Sequence, residues 1–221
     1  MKFSPGSISI CLLAALALAA GCASVGEKTR FYTLSVPSDI REKDPYPGYS
    51  ATPIFIEVMP VSIPERLARP QLVVSIKGQE GELLVLEQAR WSSPFNHELR
   101  DALAAAIAGK IGAIKVIRGG RLPGQPVYRI AVELSQFNAT IGGRVNARFD
   151  WTITSSTQGR SAACYSAISE AAGRDVESLV KGIQDVVATA AGRIAENLGE
   201  LNGGGAATCG PQKIMDDNAG G

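Results

Sequence analysis

The 221-residue chain reads as an α+β domain, a mostly antiparallel mixed sheet of about seven strands with two amphipathic helices packed on one face. Three observations predict it. Tyr128, Ile130, Val132 and Leu134 alternate with Arg129, Ala131 and Glu133, and Val145 to Ile153 alternates the same way. That period of two marks strands with one buried face. Two later stripes, Phe95-Leu99-Leu103-Ile107 and Leu179-Ile183-Val187-Ala190-Ile194-Leu198, keep helical spacing instead. Finally, 45% hydrophobic residues suffice for a core and are too many for a disordered chain.

The N-terminus precedes the fold. Lys2 supplies one positive charge, and an apolar stretch runs from Ile8 to Ala20. It has the length of a signal-peptide core and is short for a bilayer span, which needs about 20 residues. Ala19-Ala20-Gly21-Cys22 resembles a bacterial lipobox, with Ala19 where leucine is commoner. The motif predicts cleavage between Gly21 and Cys22, and diacylglycerol plus an N-acyl chain on Cys22. One acyl chain alone gives marginal membrane binding, at about 0.8 kcal/mol per buried CH₂, and three hold essentially permanently. The competing reading is an uncleaved anchor, because the uncharged stretch continues through Val25. Residues 1–21 are thus the signal peptide and 22–30 a lipidated tether.

The folded elements follow in order. Phe31–Ser35 is a short β-prone run, and the Pro- and charge-rich stretch 36–53 a loop. Ile54–Val58 is a strand stopped by Pro60. Leu72–Ile76 and Leu83–Leu86 flank a turn-like KGQEGE segment. Ser93 is the expected N-cap of the first helix, with Pro94 at its first position and Gly109 and Gly112 near its end. Ile114–Ile117 is a short strand. The two alternating runs form a hairpin around Gly142-Gly143, and Ala162–Ile168 is a third strand beside them. The last helix spans about Asp175 to Leu198. The domain therefore occupies 31–201, and the Gly-rich tail 202–221 is expected to be disordered.

Charge and composition exclude several functions. Lys plus Arg is 22 and Asp plus Glu is 21, a net +1, so no basic stripe marks a nucleic-acid site. One histidine, His97, excludes a His-rich metal centre. Cysteines at 11, 22, 164 and 209 show no CxxC spacing, which removes zinc ribbons and thioredoxin-like chemistry. No GxSxG elbow occurs, and Gly142-Gly143 lacks the GK[ST] of a phosphate loop.

The ordered motifs resemble a known family. After the lipobox come FYTL at Phe31–Leu34, the strand at Ile54–Val58, and PERLARPQLVVSI at Pro64–Ile76. ARWSSPF at Ala89–Phe95, the hairpin around Phe137 and the strand through Trp151 complete the series. The chain from about Cys22 to Leu201 is similar to the ABC-type transport auxiliary lipoproteins, the PqiC-like family. The tail with Cys209 lies outside that pattern. The resemblance implies an outer-membrane lipoprotein, on the periplasmic face of a Gram-negative cell, since Ala23 and not Asp follows the cysteine. It implies a subunit that docks the distal end of a periplasmic Mce-type lipid transport assembly and partners its inner-membrane components, without catalysis; the oligomeric state stays open, and docking onto a ring suggests a symmetric homo-oligomer. No catalytic, metal-ligating or cofactor-binding residue is expected beyond the acyl chains on Cys22.

Arg66, Arg69 and Arg90 flank these motifs. They read as solvated or structural charge, or as contacts to an acidic partner or a lipid phosphate, which suit the arginine fork. Trp91 and Trp151 read as core, and His97 as a surface residue. In an oxidising periplasm Cys164 and Cys209 have two fates open, an intramolecular disulfide or a free or intermolecular thiol. Two other functions compete with the transport subunit. One is an envelope lipoprotein that activates or assembles another machine, such as a peptidoglycan synthase or an outer-membrane barrel. The other is an envelope hydrolase, disfavoured by the lone histidine.

Overall fold

A computed structural model describes residues 28–35, 53–79, 81–117, 124–157, 159–207 and 209. Gly21, Cys22 and the signal peptide lie outside the described residues, as does most of the loop at 36–53.

Two α-helices pack against an open mixed sheet of eight strands. The strands are β1 (Arg30–Tyr32), β2 (Phe55–Val58), β3 (Gln71–Ile76), β4 (Leu84–Trp91), β5 (Ile114–Lys115), β6 (Val127–Ile141), β7 (Arg144–Ser155) and β8 (Ser161–Ala171). The helices are α1 (Phe95–Ile111) and α2 (Val176–Asn202), and one 3-10 turn covers Glu65–Leu67. Antiparallel β6–β7–β8 is the backbone of the sheet. Two separate strands share the far edge of β6. Its first half pairs parallel with β2, and its last residues pair parallel with β3. Ser62 bridges the gap by pairing with Glu133. The sheet thus forks into two wings, β2–β5 and β3–β4–β1, where β3 and β4 are antiparallel and β1 joins β4 in parallel.

The apolar alternation builds one face of this sheet. Ile130, Leu134, Val145, Ala147, Phe149 and Ile153 are all buried; the C-terminal helix lies across β6–β7–β8, and the helix opened by Phe95 packs beside it over β2 and β5. Strand β6 runs well past Leu134 because its register slips between Leu134 and Gln136. A bulge there adds a residue and moves the buried set from even to odd positions, so Phe137 is buried where Gln136 is exposed. Strand β4 is longer than Leu83–Leu86 for a related reason. Leu72 faces Leu86 while Gln71 faces Arg90, so β4 bulges and then resumes through Trp91.

Helix α1 starts one residue later than expected. Pro94, and not Ser93, is the N-cap, and its carbonyl accepts from the His97 and Glu98 amides at 2.8 and 3.1 Å. Gly112 closes the helix at φ 64°, a left-handed position that suits glycine. Helix α2 begins as Asp175 accepts from the Ser178 amide at 2.7 Å. It lies close on the sheet at Gly182, where an added Cβ would stand 2.8 Å from the Ala171 carbonyl oxygen. Buried Trp151 donates its indole N–H to Asn197 of α2 at 3.1 Å. Trp91 stacks on Phe95 with ring centroids 4.9 Å apart, and Phe95 meets Phe137 at 5.6 Å.

Beyond α2 the chain turns at Gly203–Gly205 and returns to β8, where Cys209 is disulfide-bonded to Cys164 with Cα atoms 5.5 Å apart. The bridge closes a loop of sequence separation 45. Freed, the tail would regain its own motion, so the Cys209→Ser variant is expected at the low end of the measured range, losing about 2 kcal/mol. Urea unfolding checks this, and reductant should lower the wild type to the variant's midpoint.

Candidate functional site

The polar chemistry of the structure gathers where the chain enters the fold. Glu98, in the first turn of α1, is 5% exposed. One carboxylate oxygen accepts from the Ser92 and Ser93 hydroxyls at 2.7 and 2.8 Å. The other accepts from the Thr33 hydroxyl at 2.8 Å and the Leu34 amide at 2.9 Å. Burial alone would raise its pKa. The bonds from Ser92, the Leu34 amide, Ser93 and Thr33 outweigh that and hold the carboxyl below its ordinary value. Three sequence motifs are tied at one carboxylate: the FYTL strand, the WSSP turn and the helix it opens.

Helix α2 grips the same strand from the other side. Gln184 donates to the Thr33 carbonyl at 3.0 Å. Glu177 pairs with Arg30 and accepts from the Tyr32 hydroxyl at 3.3 Å. The Ser92 amide donates to the Tyr32 carbonyl at 2.8 Å, extending the β1–β4 ladder. The first described strand is therefore held by β4, α1 and α2 together, and the N-terminal chain leaves from one fixed place at a sheet edge.

The three arginines sit on or beside the β3–β4 wing without meeting in one cluster of contacts. Arg66, on the 3-10 turn, donates to the Phe137 carbonyl at 2.9 Å, beside the β6 bulge. Arg69 is exposed on the turn leading into β3. Arg90, on β4, donates to the Glu87 carbonyl at 3.1 Å and lies 3.8 Å from the Glu87 carboxylate. His97 is exposed on α1. An open groove of about 340 Å³ between β2, β5 and α1 holds charges of both signs, including Glu57, Arg100, Asp101 and Lys115. Among the described residues no group of three or more His, Cys, Asp and Glu side chains could hold a metal ion. No described helix is long and apolar enough to cross a membrane.

Glu98 escapes sequence reasoning, because a glutamate beside Leu99 on a helix reads as solvent-facing. The only signal was an acidic residue in the first turn of a helix, five residues after a serine pair.

A family model described as the ABC-type transport auxiliary lipoprotein component matches residues 32–195. Two crystal structures share the architecture. A protein from Xanthomonas campestris matches with a TM-score of 0.54 and 18% identity, covering 80% of this chain and 99% of its own. An uncharacterised protein matches with a TM-score of 0.60 and 18% identity, covering 78% and 99%. At that identity they bear on the fold alone. No curated protein matches the sequence.

Proposed function

The chain belongs to the ABC-type transport auxiliary lipoprotein component family, and from that premise we propose an outer-membrane lipoprotein subunit of an Mce-type, PqiABC-like intermembrane lipid transport system. Family membership makes it an envelope lipoprotein and an auxiliary component of a transport system, which points to a non-enzymatic role. The finer reading adds a task. Acylated at Cys22, the subunit fixes the distal end of a periplasmic Mce-domain assembly at the outer membrane, while inner-membrane components supply the energy.

The observation that carries this reading is the seat around Glu98. It fixes the place where the anchored chain enters the fold, as a tethered subunit requires. Arg30 lies eight positions after Cys22, a reach of at most about 28 Å. Docking then falls to the exposed charge at the entry to β3, where Arg69 extends outward and Arg66 braces the turn that carries it. The subunit acts as a homo-oligomer, matching the symmetry of a ring partner.

Placing a photo-cross-linking residue at Arg69 in living cells tests the docking. The expected adduct is an Mce-domain protein. Capture of a peptidoglycan synthase or an outer-membrane barrel would instead favour an envelope lipoprotein that assembles another machine.

A further inference from the structure

We propose that the outer face of the β1–β4–β3 wing lies directly against the lipid bilayer, so that the fold contacts the membrane in addition to its acyl anchor. The inference rests on the lipoprotein reading of Cys22.

Six large hydrophobic residues are exposed among the described residues, and four of them, Phe31, Ile76, Leu83 and Val85, lie on this one wing or at its hairpin end. Phe31 is 67% exposed and Leu83 49%. The register shows how three of these fall together. Leu72 and Val74 of β3 are buried toward the helices, so Val73 between them faces outward, and Val73 pairs with Val85. Leu83 lies two residues before Val85 on the same side. At the other end Phe31 pairs with Arg90, which pairs with Gln71, two residues from Val73. The result is an outward-facing set of apolar side chains, with Phe31 at one end and Val73, Val85 and Leu83 toward the turn, and with Gln71, Arg90 and Glu87 between them.

The place where the anchored chain enters decides the occupant. Residues 23–27 lie between the acylated cysteine and the first described residue, Lys28, so Lys28 stays within about 20 Å of the acyl attachment point. Strand β1, with Phe31, follows immediately; Glu177 holds its Arg30 and Tyr32, and Glu98 and Gln184 hold Thr33 and Leu34 just after it. The most exposed aromatic residue of the described fold is thus also the one nearest the anchor. Within this face Gln71 donates to the Glu87 carboxylate at 3.1 Å and Arg90 lies 3.8 Å from it, while Arg30 and Glu177 pair on the helix side. The mixed charge gives no strong attraction to anionic lipid, and apolar contact is the driving term. One wing contact would not hold a protein to a membrane alone. Beside an acyl anchor it needs only to orient one.

The test uses the full-length acylated protein in vesicles of phosphatidylethanolamine with a minor share of phosphatidylglycerol, the chains brominated or unbrominated. Leu83→Trp and Val85→Trp place a reporter on this face. Ala105→Trp places one on the exposed side of α1, across the sheet. Trp91 and Trp151 are buried and give a constant background. The expected result is a blue shift and a loss of emission in brominated vesicles for the probes at 83 and 85, and neither for the probe at 105. Quenching at 83 and 85 no greater than at 105, in protein that still floats with the vesicles, would overturn the contact and leave the anchor standing. The same quenching pattern lost through self-association, seen as cross-linking of Leu83→Cys to a second copy, would also overturn it. Protein that neither floats nor carries acyl mass on Cys22 would overturn both readings together.

Discussion

Replacing Glu98 by alanine is expected to destabilise the domain by about 3 kcal/mol, since hydrogen bonds to a charged group contribute roughly 1.5–3 kcal/mol each and a stranded buried donor adds its own cost. The exposed Ser92 hydroxyl can turn to water, which limits its share. The Leu34 amide cannot, because Leu34 is 3% exposed. Glu98→Gln keeps the volume but loses the charge and half the acceptor capacity, so it should fall between wild type and alanine. Urea unfolding measures the ranking. Hydrogen exchange should show the Leu34 amide losing protection before the β6–β7 ladder does. The pH dependence has a definite sign. The folded-state pKa of Glu98 lies below its ordinary value, so its contribution is fully present above the unfolded value of about 4.3 and is lost as pH falls through the folded value. Between neutral pH and mild acid, wild type and Glu98→Gln should stay a constant distance apart. Below that window the gap should narrow.

Cys22→Ser is expected to move the protein from the membrane fraction to the soluble fraction and to abolish the mass of the acyl chains. Three chains bind essentially permanently and none leaves only a surface contact, so the shift should be nearly complete. The fold begins at β1 and makes no described use of residue 22, so the thermal midpoint of the released protein should match that of the wild-type domain. Fractionation with mass spectrometry reads both effects. Wild-type protein that keeps its leader and carries no acyl mass would mean that the apolar stretch is an uncleaved span.

How much of this was legible in the sequence depended on whether a signal was local. Phe95, Leu99, Leu103 and Ile107 declared their helix because burial repeats with the helical turn, and each is almost fully buried. Val145 to Ile153 declared a strand for the matching reason. Strand β6 was cut short because the bulge at Ser135 breaks the alternation at the point where the strand continues. The parallel pairings of β2 and β3 with one edge of β6 join residues about 70 positions apart, and no short window contains them. At the candidate site, FYTL and ARWSSPF were visible as motifs. That Thr33, Leu34, Ser92 and Ser93 converge on Glu98 was not, because convergence is a property of the folded chain. Arg66 shows the opposite limit. Its charge stood out, yet its guanidinium braces the Phe137 carbonyl, a role that charge alone does not announce.

The docking claim is tested most directly by affinity isolation of the full-length protein from mildly solubilised envelopes, with its companions identified by mass spectrometry. The account predicts recovery of an Mce-domain protein, with the acylated subunit present as an oligomer. Recovery of a peptidoglycan synthase or an outer-membrane barrel, with no Mce-domain protein even after cross-linking, would contradict it.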